Sequence, residues 1–347
     1  MKNVLIISDR LEHYRIPLFN LLCDSVNLTV AYSNDIENGI IQFSEHKIKV
    51  INKGPFIVYK NLPNFELFDI IILPFNLRCV ELWKQIFKKR KFKLFIFGIG
   101  VVASYGKLYD QKNGLDFLRS FIIRKVDSAI FYERYPYVKY VANGISPSKL
   151  SIAYNTVFPN PYFDFATKEY KSFIFVGSLY KQKKIFNLLE AYLLAYKKSN
   201  SIIQPLEIIG NGDEFEAIHK WISDNNLESK IMLHGQINDD MTLLPIFNRA
   251  IACISPGQAG LSVQKSFSYA VPFITSENPI TGGEAFSIIN GVNGYFYNSS
   301  ISALADILLS FSDEEKVIEM SKKAYIFYSN FRSVEIWKRG FLENIIP

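Results

Sequence analysis

The sequence predicts an α/β protein made of two doubly wound, parallel-sheet domains facing each other across a cleft. Three observations carry that expectation. Short β-branched and aromatic runs alternate with amphipathic stretches along the chain, the pattern of parallel sheets covered by helices on both faces. A stretch at 157–170 with two prolines interrupts the alternation, which then starts again. A length of 347 residues suits two domains of ordinary size.

Taken in order, the first half reads as strands at 4–8, 28–32, 70–73, 94–97, 129–132 and 151–154, each a short apolar run closed by turn residues. Helices lie between them, clearest at 15–23, 81–89, 115–125 and 135–143, where apolar residues recur at helical spacing. The second half reads as strands at 173–176, 206–209, 231–233, 250–254, 272–274 and 294–297, with helices at 184–198, 214–226, 262–269 and 301–311. The aromatic stretch 326–344 is expected to be helical and to return to the first domain. The boundaries that follow are 1–160, 161–328 and a terminal helix over 329–347.

Apolar residues make up 49% and charged residues 21%, the balance of a folded soluble chain. No apolar run reaches the roughly 18 residues of a membrane span, and the apolar part of Met1–Ser8 is too short for a signal peptide. Cys23, Cys79 and Cys253 are odd in number and far apart, which fits a reducing cytosol and neither a disulfide frame nor a metal site. Charge is unevenly spread: residues 1–165 hold 22 Lys+Arg against 14 Asp+Glu, and 166–347 hold 17 against 19. The basic cluster Lys88, Lys89, Arg90, Lys91 and Lys93 follows a helix-like stretch, and Arg119, Arg124 and Lys125 sit on another. These are either solvated helix ends or a surface for anionic lipid headgroups or a lipid diphosphate. Nucleic acid is disfavoured because no binding motif accompanies the charge.

Glycine-rich turns mark the chemistry. Cys253-Ile-Ser-Pro-Gly-Gln-Ala-Gly-Leu-Ser262 reads as strand, turn and helix start, where free N–H groups and the positive helix end hold a phosphate or a sugar hydroxyl. Phe175-Val-Gly-Ser-Leu-Tyr-Lys-Gln-Lys-Lys184 pairs a Gly177-Ser178 turn with Lys181, Lys183 and Lys184, either a diphosphate site or a polar helix entrance. Gly210-Asn211-Gly212 ends the next strand and is either a close-approach site or just a turn. All three lie at carboxyl ends of strands, where open α/β sheets bind ligands. Glu284 stands at a helix start, as a first-turn stabiliser or a binder of ribose hydroxyls. In the first half, His13, Tyr14 and Arg15 follow strand one and face the cleft; Gly98 and Gly100, in Phe97–Ser104, either line an acceptor channel or pack tightly. Walker lysine, zinc spacing, Gly-x-Ser-x-Gly and an early Gly-x-Gly-x-x-Gly are absent.

Together, Tyr14-Arg-Ile-Pro17, Tyr154-Asn-Thr156, Val176-Gly-Ser-Leu179 with Lys183, Ile209-Gly-Asn-Gly212 and Ser255-Pro-Gly-x-x-Gly-Leu261 with Val271-Pro272 resemble the GT-B glycosyltransferases of family 4, in a branch with the Ser-Pro-Gly-x-x-Gly-Leu pattern. The resemblance spans nearly the whole chain and is sharpest in the second half. It implies two Rossmann-like domains, the first for the acceptor and the second for a nucleoside-diphosphate sugar (UDP, GDP or dTDP). It implies transfer with retention, no metal and no other cofactor, and a glycan or polyprenyl-diphosphate-linked acceptor. Such enzymes build capsules and O-antigens, in the cytoplasm and peripherally on the inner membrane face.

Donor contacts carried over are Gly177, Ser178, Lys184, Gly210, Asn211, Gly212, Ser255, Gly257, Gln258, Gly260, Leu261, Ser262, Lys265 and Glu284. Lys183 and the N–H groups of Gly177 and Ser178 would meet the charge of the leaving diphosphate. His13 would polarise or position the acceptor, and Tyr14, Arg15, Gly98 and Gly100 would hold it. Two departures stand out. The family's Gly-Arg-Leu turn is Gly177-Ser178-Leu179, and its two glutamates fall on Gly257 and Lys265, leaving Glu284 as the carboxylate able to take over a hydroxyl-binding role. A binding-only homologue and a sugar-nucleotide epimerase are the alternatives.

Overall fold

The computed structural model describes the chain except residues 37–38, 104–107, 112–113, 160–163, 201, 238 and 347. The expected boundary at 160/161, Ser104 at the end of the Phe97 run, and the terminal residue 347 lie outside the described residues. The chain divides into two compact units: Met1–Val102 with Asp110–Phe158 and Ser333–Pro347, and Ala103–Tyr109 with Pro159–Arg332.

The first unit runs β1 (Asn3–Ile7), α1 (Arg15–Asn20), β2 (Asn27–Tyr32), β3 (Ser44–Lys47), β4 (Lys49–Lys53), β5 (Phe56–Lys60), β6 (Ile70–Pro74), α2 (Val80–Phe87), β7 (Lys93–Gly98), α3 (Asp116–Lys125), β8 (Ser128–Phe131), α4 (Arg134–Ala142) and β9 (Leu150–Ile152). Its sheet has the order β3-β2-β1-β6-β7-β8-β9, with parallel pairing throughout. β4 and β5 form a separate antiparallel hairpin. The sequence reading placed no element between 32 and 70. Of the strands there, β3 is polar and mostly exposed (Ser44-Glu-His-Lys47) and carries no apolar run, whereas β5 (Phe56-Ile-Val-Tyr-Lys60) carries one that went unread.

The second unit runs β10 (Ser172–Val176), α5 (Ile185–Lys198), β11 (Leu206–Ile209), α6 (Phe215–Asp224), β12 (Ile231–Gly235), α7 (Asp240–Arg249), β13 (Ala250–Ile254), α8 (Leu261–Ser268), β14 (Phe273–Ser276), β15 (Gly294–Tyr297), α9 (Ile301–Ser310) and α10 (Glu314–Phe331). The sheet order is β12-β11-β10-β13-β14-β15, again parallel. Helix α7 went unread in the sequence because Pro245 sits inside it; Asp239 caps it by accepting the Thr242 N–H at 2.8 Å.

The two doubly wound parallel sheets are therefore present. In each, the order reverses once, between β1 and β6 and between β10 and β13. Adjacent crossovers leave the sheet in opposite directions there, so a crevice opens at the carboxyl ends of those strands. The strands that flank these points are fully buried: Ile71, Ile72, Phe173, Ile174, Cys253 and Ile254 are all 0% exposed.

The stretch 326–344 is not one helix. α10 ends at Phe331, and α11 (Val334–Leu342) begins after Ser333. α11 belongs to the first unit. Its Trp337 and Phe341 pack against Phe19 and Phe97, with ring centroids 6.3 and 5.1 Å apart. Gly340 lets α11 approach β9: a Cβ there would stand 1.8 Å from the Ile152 carbonyl oxygen.

Candidate functional site

In the second unit, three glycine turns interlock at the carboxyl ends of β10, β11 and β13. The Gly177 N–H donates to the Ile209 carbonyl (3.0 Å), Leu179 N–H to Asn211 O (2.9 Å) and Gly210 N–H to Gly235 O (2.8 Å). The Gly257 N–H donates to Lys183 O at 3.0 Å. The backbones approach so closely that side chains are excluded. A Cβ on Gly210 would lie 1.9 Å from Gly177 O, on Gly212 2.4 Å from Leu179 O, and on Gly257 1.9 Å from Gln182 O. These glycines are needed for the fit between turns, whatever binds above them.

Lys183 ends the short 3-10 turn 181–183, followed by Lys184 in the left-handed region (φ +54°). The helix expected from 184 therefore starts at Ile185. Lys183 is 8% exposed, whereas Lys181 and Lys184 are in solvent. Its ammonium lies beside Gly177, 3.2 Å from where a Cβ would be, and 5.7 Å from the Tyr180 ring centroid. Among the described residues no carboxylate comes within ion-pair distance of it. Burial pushes its pKa down to about 8, with the nearby Cys253 opposing this weakly. The structure thus keeps a desolvated, unpaired amine at the point where the sheet order reverses.

Helix α8 opens at Gly260 with no side-chain cap, and α5, after the neighbouring strand, is also uncapped. The positive ends of both helices are left for a ligand to satisfy. The Gly177 N–H is already used by Ile209, which corrects its expected role as a free donor. The N–H groups of Ser178, Gly260 and Leu261 have no partner among the described residues. The buried Ser255 hydroxyl is likewise unpaired. Gln258 accepts the Tyr180 hydroxyl at 2.6 Å, which ties the α8 entrance to the Lys183 turn. Ser262 is half-buried in the first turn of α8.

Lys265 was expected among the donor contacts, at a position where the family has a glutamate. It is ion-paired with Asp240 in the first turn of α7 and lies 5.2 Å from the Tyr269 ring centroid. Asp240 was missed because α7 was missed; the Asp239-Asp240 pair ahead of an apolar run was the available cap signal. The loop 278–284 is laced to the same turn: Ile280 N–H donates to Gly257 O and Ala259 N–H to Ile280 O, both 2.9 Å. Glu284, 6% exposed, accepts the N–H of Gly282, two residues back along the loop that leads into its 3-10 turn, at 2.9 Å.

In the first unit, Arg15 begins α1 beside the β1/β6 reversal. Its guanidinium lies 5.2 to 5.5 Å from the ring centroids of Tyr14, Phe97 and Tyr132 and donates to the Tyr132 hydroxyl at 3.0 Å. With Ser8, Pro74 and Phe97 it lines a cavity of ≈ 50 Å³. His13 is exposed in the turn before α1, edge-on to Tyr14 at 6.0 Å. Phe97 and Tyr132 were not singled out in the sequence, since both read as ordinary strand ends. Gly98 and Gly100 have packing duties. A Cβ on Gly98 would meet Phe75 at 3.1 Å; one on Gly100 (φ +84°) would meet Phe131 at 2.7 Å and Pro136 at 2.8 Å.

Residues 163–327 match the family model described as "Glycosyl transferases group 1". Over 179 residues the chain is 26% identical to the poly(glycerol-phosphate) alpha-glucosyltransferase of Bacillus subtilis (strain 168), a match covering 49% of this chain. The chain spans about a quarter of that relative's length (25%). Among solved structures, a glycosyltransferase from Rickettsia africae ESF-5 superposes with TM-score 0.70 at 14% identity, over 99% of this chain and 97% of its own. Anabaena HepE in complex with UDP gives 0.68 at 13% identity, over 99% of both chains. S. aureus TarM, as a mutant with fondaparinux, alpha-GlcNAc-glycerol and UDP, gives 0.65 at 13% identity, over 100% of both. These likenesses show the fold, the two-unit Rossmann-like architecture named GT-B.

Proposed function

We propose that the chain is a retaining glycosyltransferase that moves a sugar from a nucleoside-diphosphate sugar to a glycan or lipid-linked acceptor in surface-polysaccharide synthesis. The observation that carries this is Lys183: a buried, unpaired ammonium at the β10/β13 reversal, within the segment that matches the family model. A nucleoside diphosphate supplies the missing negative charge. Free N–H groups at Ser178, Gly260 and Leu261 and the uncapped start of α8 supply further donors.

In the reaction the acceptor hydroxyl bonds to the anomeric carbon on the face from which the diphosphate departs. The bond from that carbon to the diphosphate oxygen breaks. The departing oxygen takes the hydroxyl proton, and Lys183 and the turn amides stabilise its charge. In this reading that stabilisation needs no metal. Arg15, held in its aromatic cage, binds an anionic part of the acceptor, and exposed His13 positions its hydroxyl. The UDP in the HepE and TarM structures and the glucosyl transfer named for the Bacillus relative favour UDP-glucose as the first donor to try.

The test is a thermal-shift panel of UDP, GDP and dTDP, followed by transfer assays with the matching sugar donors, with and without chelator. A nucleotide at a hundred times its Kd stabilises by about 2.7 kcal/mol. Stabilisation lost in Lys183→Ala together with transfer supports the proposal. Wild-type transfer by Lys183→Ala sinks the phosphate assignment, and nucleotide binding without turnover of any donor favours a binding-only protein.

A further inference from the structure

The crevice of the first unit holds a carboxylate that the transfer chemistry leaves unused. The last residues paired between β1 and β6 are Ile6 and Ile72. Asp9 and Phe75 each stand three residues further on, and Asn76 follows Phe75. All three are half-buried, at the carboxyl ends that flank the β1/β6 reversal. Ser8, which lines the Arg15 cavity, directly precedes Asp9.

Asp9 is fixed in place. Its Oδ1 accepts the hydroxyl of Tyr59, a 5% exposed residue of β5. Burial, with Cys79 and Asp9 nearby, pushes the Tyr59 pKa up, so the phenol keeps the proton it donates. The hairpin that carries Tyr59 is pinned in turn: the Ile57 N–H donates to Arg78 O at 2.7 Å, just before α2. The Ser33 hydroxyl donates to the Asp9 carbonyl at 2.6 Å. A buried phenol needs one acceptor, whereas a carboxylate brings two oxygens. Among the described residues Asp9 Oδ2 meets no donor and no cation. Asn76 is likewise half used: its Oδ1 accepts the Arg78 N–H at 3.0 Å, and its Nδ2 has no partner among the described residues.

A fixed carboxylate oxygen accepts from sugar hydroxyls, and an amide NH2 donates to them. A half-covered aromatic ring packs against the C–H face of a pyranose. We propose that Asp9 and Asn76 hold vicinal hydroxyls of a pyranose at the receiving end of the acceptor, its ring against Phe75, with Tyr59 as the positioning residue. The inference rests on the transferase reading and specifies its acceptor. Asp9 binds and orients here; it takes no proton.

Saturation-transfer NMR tests it with methyl glucopyranoside, galactopyranoside and mannopyranoside, and with glycerol as an acyclic polyol, with and without UDP. Wild-type protein should bind at least one pyranoside and leave glycerol unbound. Asp9→Asn keeps an oxygen for the Tyr59 hydroxyl, so its melting temperature should hold while pyranoside affinity falls about tenfold or more. Tyr59→Phe should weaken the pyranosides and leave UDP-induced thermal stabilisation unchanged, a split that a merely structural phenol would not give. Absence of pyranoside binding, binding undiminished in Asp9→Asn, or glycerol bound as well as the pyranosides overturns the inference. Pyranosides unbound with UDP stabilisation intact is a failure of this inference alone. Pyranosides bound through Asp9 without UDP stabilisation supports it and is a failure of the donor reading alone.

Discussion

The buried lysine makes nucleotide binding pH-dependent, with a sign the structure dictates. Lys183 carries its proton with a pKa of about 8 instead of its ordinary 10.5, a bias of about 3 kcal/mol against the charged form. A nucleoside diphosphate binds the charged form, and its own terminal phosphate, with a last pKa of about 6, is already mostly ionised at pH 7. With a pKa of about 8, the charged fraction falls from about nine-tenths at pH 7 to about one-tenth at pH 9. UDP affinity should therefore drop about tenfold over that interval. Calorimetry at pH 8 in buffers of different ionisation enthalpy should show uptake of about half a proton per UDP. Cys253 does not interfere, because burial pushes its thiol up to about 11. Lys183→Ala should bind more weakly by about 1.5–3 kcal/mol, with no slope from pH 7 to 9. The same shift acts on stability: the unfolded chain holds this proton up to 10.5 and the folded one to about 8, so the lysine's cost to folding is relieved as pH rises between them. Wild-type UDP affinity that is flat from pH 7 to 9 refutes the account.

Three further outcomes follow from the geometry. Gly257→Ala places a Cβ 1.9 Å from Gln182 O and must push the α8 entrance off the Lys183 turn; nucleotide-induced thermal stabilisation should vanish while far-ultraviolet dichroism is kept. Glu207, 0% exposed, binds Arg249 through both oxygens (2.7 and 2.6 Å) together with Ser172 and His234. Burial opposes its ionisation, but these partners hold the carboxyl below its ordinary pKa, so its contribution is present above that ordinary value and lost as pH falls. Glu207→Gln should cost about 2–3 kcal/mol in urea unfolding, less than a fully buried pair because Arg249 and His234 are partly solvated. Gly340→Ala, with its Cβ 1.8 Å from Ile152 O, should cost about 1–3 kcal/mol and expose α11 to proteolysis.

Strand and helix alternation was legible because buried parallel strands are continuous apolar runs, as in Phe173–Val176 and Ala250–Ile254. β3 and α7 were not, because one is a solvated edge and the other contains Pro245. The glycine turns were visible as motifs, but their chemistry was only half visible. Gly177 read as a donor, yet its N–H is spent on Ile209. Lys265 read as a donor contact in place of a glutamate, and its pairing with Asp240 was not legible.

The sequence by itself determined two doubly wound sheets, the place of their glycine turns and the charge asymmetry of the halves, since each follows from local composition and spacing. Tertiary structure decided which of three clustered lysines is buried without a partner, which amides stay free and which cations are already paired. Those depend on which distant backbones meet. Gly257 from β13's turn closes over Lys183 from β10's, and a contact between residues so far apart in the chain leaves no local pattern to read.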